Sequence, residues 1–337
     1  MKYPDDPMIE DMIEWGNEYE YLINNYFSEN VKNISIFNDV TISFEFYEGK
    51  LYSYNNINYI NTYNFIFNST ILGEYDLMII DDSFLFNEVA LMECYYFEYY
   101  FDRKFSENNY MDLSKYINKE SLKHHDPKIL EKCKINKKLY ALPYDSDFDN
   151  LYFRSNDSNI NSIVKNMELL TWDDLLELGN ETSSYPLVIS LGYSEDMINF
   201  FIEYTSNYYN LTKEYDSNFY KVFYNDSSTY LYNSFFDFFN KYTNFTNDYI
   251  VNGFPIDGLY EFFMGDSLFF KGKASYSYDF QDIPYISSTL PPKFISVKYN
   301  KYLIINNNSN IDKNILVEIA TELTSKEMQL YRAKYFG

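Results

Sequence analysis

Two short apolar runs limit the fold of this chain more than any other feature. Tyr75-Asp-Leu-Met-Ile-Ile-Asp81 is apolar in its middle and ends in acids. Bounded this way, it reads as a buried parallel strand whose carboxyl end faces solvent. Pro186-Leu-Val-Ile-Ser-Leu191 repeats the pattern and runs into Gly192 and a helix from Ser194. Around these runs the apolar residues change period. Asp6 is a good N-cap, Pro7 suits the first helical position, and Met8, Met12, Ile13, Tyr19, Leu22, Ile23 and Tyr26 recur at helical spacing. Residues 40–47 alternate apolar and polar, which predicts a strand, and residues 57–72 predict a helix. Helix and strand alternating in this order mean an α/β sheet built from βαβ units.

The pattern continues to the last residues. Residues 138–147 read as extended, and 149–154 continue them. Thr171-Trp-Asp-Asp174 has a capping-box arrangement, opening a helix that Gly179 would close. Helices fit 226–242, 256–270 and 311–335, and strands fit 274–280 and 296–305. No short internal repeat and no Gly/Ser-rich or Pro-rich linker divides the chain, so two lobes would have to be joined by ordered strands.

Composition narrows the function. With 27 Lys and Arg against 50 Asp and Glu, the net charge is -23, which disfavours nucleic acid and anionic ligands. Hydrophobic content of 46% argues against disorder, and polar residues break every apolar run well before about 18 residues, short of a membrane span. Aromatics make up 21%, an excess that AT-rich codons largely account for, so an aromatic-lined site has to be argued position by position. Residues 1–16 carry no apolar run of signal-peptide type. Cys94 and Cys133 are the only cysteines, without metal-like spacing, and leave a disulfide or two free thiols open. His124 and His125 are adjacent, which does not suit shared metal ligation on one helix face, so no metal and no cofactor is expected. Asn-X-Ser/Thr sites at Asn33, Asn68, Asn156, Asn180, Asn210, Asn225, Asn244 and Asn307 exceed the roughly five expected by chance and point toward a secreted glycoprotein.

None of the common catalytic signatures occurs: no G-x-G-x-x-G, Walker A, H-E-x-x-H or G-x-S-x-G, and no catalytic residue is assigned. A glycosidase needs only two carboxylates, so that alternative stays open among so many acids. Acids and aromatics do gather at strand ends, where open α/β sheets bind ligands. Asp81 and Asp82 end one strand, Tyr144, Asp145 and Asp147 sit in an extended segment, and Tyr278, Asp279 and Phe280 end another. Carboxylates accept hydrogen bonds from hydroxyls and aromatic faces cover C–H faces, a combination suited to a neutral polyol such as a sugar. The competing reading makes the two acids helix caps and the aromatics core.

Six segments, in order, resemble extracellular solute-binding protein family 1, the maltose-binding-protein-like group with the type 2 periplasmic-binding-protein fold. They are Tyr75-Asp-Leu-Met-Ile-Ile-Asp81, Met111-Asp-Leu-Ser-Lys-Tyr-Ile117, Lys138-Leu-Tyr-Ala-Leu-Pro-Tyr144 with Leu151-Tyr-Phe, Thr171-Trp-Asp-Asp-Leu-Leu-Glu-Leu178, Phe269-Phe-Lys-Gly-Lys-Ala274 and Thr324-Ser-Lys-Glu-Met-Gln329. The resemblance implies two α/β lobes, residues 1–146 with 298–337 and residues 147–297, joined by a strand hinge with a ligand cleft between them. It implies a non-enzymatic, extracellular or cell-surface domain that closes on a small-molecule ligand, a sugar by preference. Its partner outside the chain would be a transporter component or, alternatively, the rest of a ligand-sensing membrane receptor. Carried over, Asp81 or Asp82 and Asp147 become hydroxyl acceptors, Tyr278, Asp279 and Phe280 occupy the aromatic ligand segment, and Tyr193 is a weaker candidate from the second lobe. Trp172 is assigned to the core. The family's first strand and its C-terminal helices have no counterpart, so the chain reads as a binding domain trimmed at both ends.

Overall fold

The structure, a computed structural model, describes residues 9–30, 40–47, 56–82, 84–86, 105–178, 185–192, 194–211, 219–246, 251–265 and 267–336. In chain order the main elements are α1 (Ile9–Asn30), α2 (Asn56–Leu72), β1 (Leu77–Asp81), β2 (Ala141–Arg154), α3 (Trp172–Glu177) and β3 (Tyr185–Val188). They are followed by α4 (Ser194–Ser206), α5 (Asp226–Phe245), α6 (Pro255–Met264), β4 (Ser267–Lys273), β5 (Ile286–Thr289), β6 (Lys298–Ile305), α7 (Lys313–Leu323) and α8 (Lys326–Phe336). The chain divides into two compact units, Met1–Ser146 with Tyr299–Phe336, and Asp147–Lys298.

In the first unit β6 lies between β1 and β2. The run at 75–81 was expected to be parallel, but β1 pairs antiparallel with β6, from Leu77 opposite Ile305 to Asp81 opposite Lys301. An apolar run reports burial on both faces, and strand direction depends on a partner more than two hundred residues away. The core joins Tyr19, Ile23 and Tyr26 of α1 and Ile66 of α2 to Leu316, Ala320 and Leu323 of α7, over Ile80, Leu142 and residues 302–305 of the strands.

Residues 40–47 keep their predicted alternation without joining a sheet. Val40, Ile42, Phe44 and Phe46 pack against the core. Helix side chains take up backbone groups of Ile42 and Phe44. The Ile42 amide donates to Asn24 Oδ1 at 2.8 Å, Asn24 Nδ2 donates back to the Ile42 carbonyl at 2.7 Å, and the Phe44 amide donates to Glu20 Oε2 at 2.7 Å.

In the second unit β2 pairs antiparallel with β4, from Asp149 opposite Lys273 to Phe153 opposite Phe269, while β3 runs parallel to β4. Alternate residues sort to opposite faces. Leu151, Phe153, Leu187 and Phe269 meet Trp172 of α3, Phe200 and Tyr204 of α4 and Phe238 and Tyr242 of α5. Tyr152, Val188 and Phe270 meet Leu259 and Phe262 of α6. This helix approaches closely because Gly258 has no Cβ: one placed there would lie 2.6 Å from Ser190 Oγ and 3.0 Å from Val188 Cγ1.

Three sequence expectations are corrected here. The helix expected over 256–270 stops at Met264, because Gly265 takes the left-handed conformation (φ +95°), and strand β4 follows. The strand expected at 274–280 is a 3₁₀ turn, Ala274–Ser277, running into further turns. The final helix is broken after Leu323, where Thr324 Oγ1 donates to the Ala320 carbonyl at 2.8 Å, and α8 restarts at Lys326. The capping box at Thr171 is present as read: its amide donates to Asp174 Oδ2 at 2.7 Å, and its hydroxyl accepts the Asp174 amide at 3.2 Å.

Candidate binding groups in each unit

In the first unit the polar groups collect where β1 ends. Asp81 stands opposite Lys301, and its carbonyl accepts the Phe84 and Leu85 amides, so it starts a turn. Asp82 is held from several sides. Its amide donates to the Asn300 carbonyl at 3.0 Å, Asn300 Nδ2 donates to its carboxylate at 2.8 Å, and Lys132 Nζ stands 3.8 Å away. Asn300 in turn accepts the Ser146 hydroxyl at 2.6 Å, which links the ends of β1 and β6 to the point where β2 leaves this unit. Burial, and then the Asp82 carboxylate, push the Tyr302 phenol well above its ordinary range. Asp145 is exposed, and its carboxylate accepts the Ser146 amide at 2.9 Å.

Tyr144 does not belong with these residues. It is 0% exposed, its hydroxyl is hydrogen-bonded to that of Tyr19, and Arg332 stacks its guanidinium 4.0 Å from the ring centroid while donating to the Tyr144 carbonyl. With the whole side chain buried, one face under Arg332 and its polar tip bonded to Tyr19, the ring has no free surface for a ligand. Burial is the first cause that raises this phenol far above its usual value.

In the second unit Asp147 braces the 3₁₀ turn. Its carboxylate accepts the Ser275 hydroxyl at 2.7 Å, the Ser275 amide at 3.3 Å and the Phe148 amide at 2.8 Å. The turn it holds ends at Tyr278, which is 38% exposed, and Asp279, also exposed, whose carboxyl partial desolvation moves above the ordinary value. Tyr278 and Asp279 therefore present a ring and an acceptor on one turn. Phe280 is turned the other way and is corrected to core: it packs against Tyr152, with ring centroids 4.6 Å apart, and against Phe263 at 5.4 Å. Tyr193 lies outside the described residues.

A further group in the second unit went unread in the sequence. Asp149, Glu203, Lys271 and Lys273 form a buried ionic cluster. Lys271 Nζ contacts Asp149 and stands 3.3 Å from Glu203, and Lys273 Nζ lies 3.0 Å from Asp149. The available signal was Glu203 itself, an acid three residues after Phe200 on the apolar face of α4. No such signal marks Ser146, Ser275 or Asn300, since short polar residues at strand ends are ordinary.

Among the described residues no set of three or more His, Cys, Asp or Glu side chains is placed to hold a metal ion. His125 is buried, and desolvation with the neighbouring His124 lowers its imidazole to about 4. Cys133 is a buried free thiol, and Cys94 lies outside the described residues.

No family model and no curated protein matches the sequence. Solved structures do match. Maltose-bound MalE3 of T. maritima has a TM-score of 0.66 at 15% identity, covering 94% of this chain and 77% of that one. The GacH receptor of Streptomyces glaucescens, solved without ligand and with acarbose, has a TM-score of 0.58 at 12% identity, covering 94% and 74%. An ABC transporter solute-binding protein of Thermotoga lettingae with bound α-D-tagatose has a TM-score of 0.57 at 15% identity, covering 96% and 77%. Taken with the two α/β units, these likenesses establish that the chain has the maltose-binding-protein-like, type 2 periplasmic-binding-protein fold.

Proposed function

We propose that this chain is a solute-binding domain for a neutral carbohydrate. The observation that carries the reading is the match of nearly the whole chain to proteins solved with maltose, acarbose and tagatose. The side chains agree with it chemically. Asp81, Asp82 and Asp145 in the first unit, and Asp147 and Asp279 in the second, are hydroxyl acceptors, and Tyr278 offers a ring to C–H faces. A net charge of -23 opposes an anionic ligand. The protein binds without turning over its ligand, works outside the cytoplasm, and delivers the sugar to a membrane partner, as the ABC-transporter setting of such relatives suggests.

Thermal unfolding against a panel of maltose, tagatose, mannitol, amino acids and polyamines tests the reading. A sugar held at 100 times its Kd stabilises the folded state by about 2.7 kcal/mol, a clear rise in Tm. A panel in which no sugar raises Tm, or in which oligosaccharides are cleaved, overturns it.

A further inference from the structure

The ionic cluster of the second unit lies against both stretches of chain that lead to the first. Asp149 stands three residues past Ser146 on β2, and its amide donates to Ser296 Oγ at 2.8 Å. Glu203 Oε1 accepts the Val297 amide at 2.9 Å, one residue before β6. The side chains are closed off from water: Glu203 is 0% exposed, Asp149 2% and Lys271 8%. The described groups bearing on Glu203 are Lys271 from β4, Asp149 from β2 and the Val297 amide. Lys273 reaches the cluster through Asp149, and Asp196, earlier on α4, acts on Lys271. With all four side chains ionised the cluster is neutral; protonating Glu203 leaves it with one net positive charge.

We propose that Glu203 is a proton-responsive positioning residue: its protonation tightens, and its ionisation loosens, the hold of the second unit on Val297. The sign follows from where the carboxylate is better solvated. Burial makes the buried carboxylate costly, and Asp149 adds to that cost, so that despite Lys271 and the Val297 amide, which both favour the ionised form, the group sits at about 7. An opening that releases Val297 admits water to Glu203 and returns it toward its ordinary value. Protons therefore favour the closed form, and alkaline pH favours opening. Since this concerns the second unit without ligand, it stands apart from the carbohydrate reading.

Amide exchange of Val297 in the intact, sugar-free protein reads the opening directly, after correction for intrinsic exchange. A shift from the ordinary value to about 7 makes openings roughly 30-fold rarer at pH 5.5 than at pH 8. Glu203→Gln, which cannot titrate, removes that difference. Val297 protection that ignores pH in the native protein, or a pH dependence that survives in the variant, overturns the proposal. If the variant does not fold, carboxyl ¹³C titration of the native protein decides: a Glu203 resonance that does not titrate near pH 7 also overturns it. Neither measurement contains a sugar, so failure here leaves the binding assay unaffected, and the reverse holds.

Discussion

Replacing Lys271 by Met removes the cation that joins two buried carboxylates. Its Nζ contacts Asp149 and lies 3.3 Å from Glu203. At an effective dielectric of about 20, a unit-charge attraction over that distance is roughly 5 kcal/mol. Asp149 keeps Lys273 at 3.0 Å, but among the described residues Glu203 keeps only the Val297 amide. Removing one partner of a buried pair typically costs about 3–5 kcal/mol, because a charge is left without compensation. At pH 8 we therefore expect Lys271→Met to destabilise the second unit by about that amount. At pH 5.5 the loss is smaller. Glu203 sits at about 7 in the folded protein, above its ordinary value, so the stability it contributes is present in acid and is lost as pH rises through 7. Without Lys271 its proton is held more tightly still.

The assay is urea unfolding at the two pH values, followed by tryptophan fluorescence. Trp15 lies in the first unit and Trp172, fully buried, in the second, so a Trp15→Phe background reports on the second unit alone. A loss below about 1 kcal/mol at pH 8, or the same loss at both pH values, refutes this account of the cluster. Lys271→Met combined with Glu203→Leu should regain most of the stability, since apolar groups of similar size replace the stranded charge.

Two further outcomes follow from the packing and the turn. Gly258→Ala puts a methyl 2.6 Å from Ser190 Oγ and should cost about 1–3 kcal/mol in the same unfolding assay, with partial recovery in Gly258→Ala combined with Ser190→Ala. Asp147→Ala strips the brace from Ser275 and should abolish a sugar-induced rise in Tm, with Ser275→Ala reducing it less; an unchanged rise removes the turn ending at Tyr278 and Asp279 from the binding site.

Local signals were the legible part of the fold. The capping box at Thr171, the start of α5 at Asp226 and strand β3, which occupies Tyr185–Val188 where 186–191 was expected, all rest on residues a few positions apart. Tyr144 and Phe280 show why the candidate site was less so. Residues 141–144 are all buried before Asp145 and Ser146 emerge, so no alternation marks which side chain faces out. Phe280 follows a turn where a strand was expected, and its direction is decided by Tyr152 and Phe263. Asp82 lies just past the end of β1 and Asp147 within β2, and what surrounds them was no more legible, because their partners Asn300 and Ser275 are distant in sequence.

By itself the sequence determined the α/β class, the excess of acidic charge and the starts of helices such as α3 and α5, because capping, periodicity and charge act between near neighbours. Tertiary structure alone decided that β1 runs against β6, that residues 40–47 bond to the side chains of α1, and that Asp149, Glu203, Lys271 and Lys273 share one dry site. Each of these depends on groups brought together by packing, and the free energy of a buried charge or an unpaired amide is set by what folding places beside it.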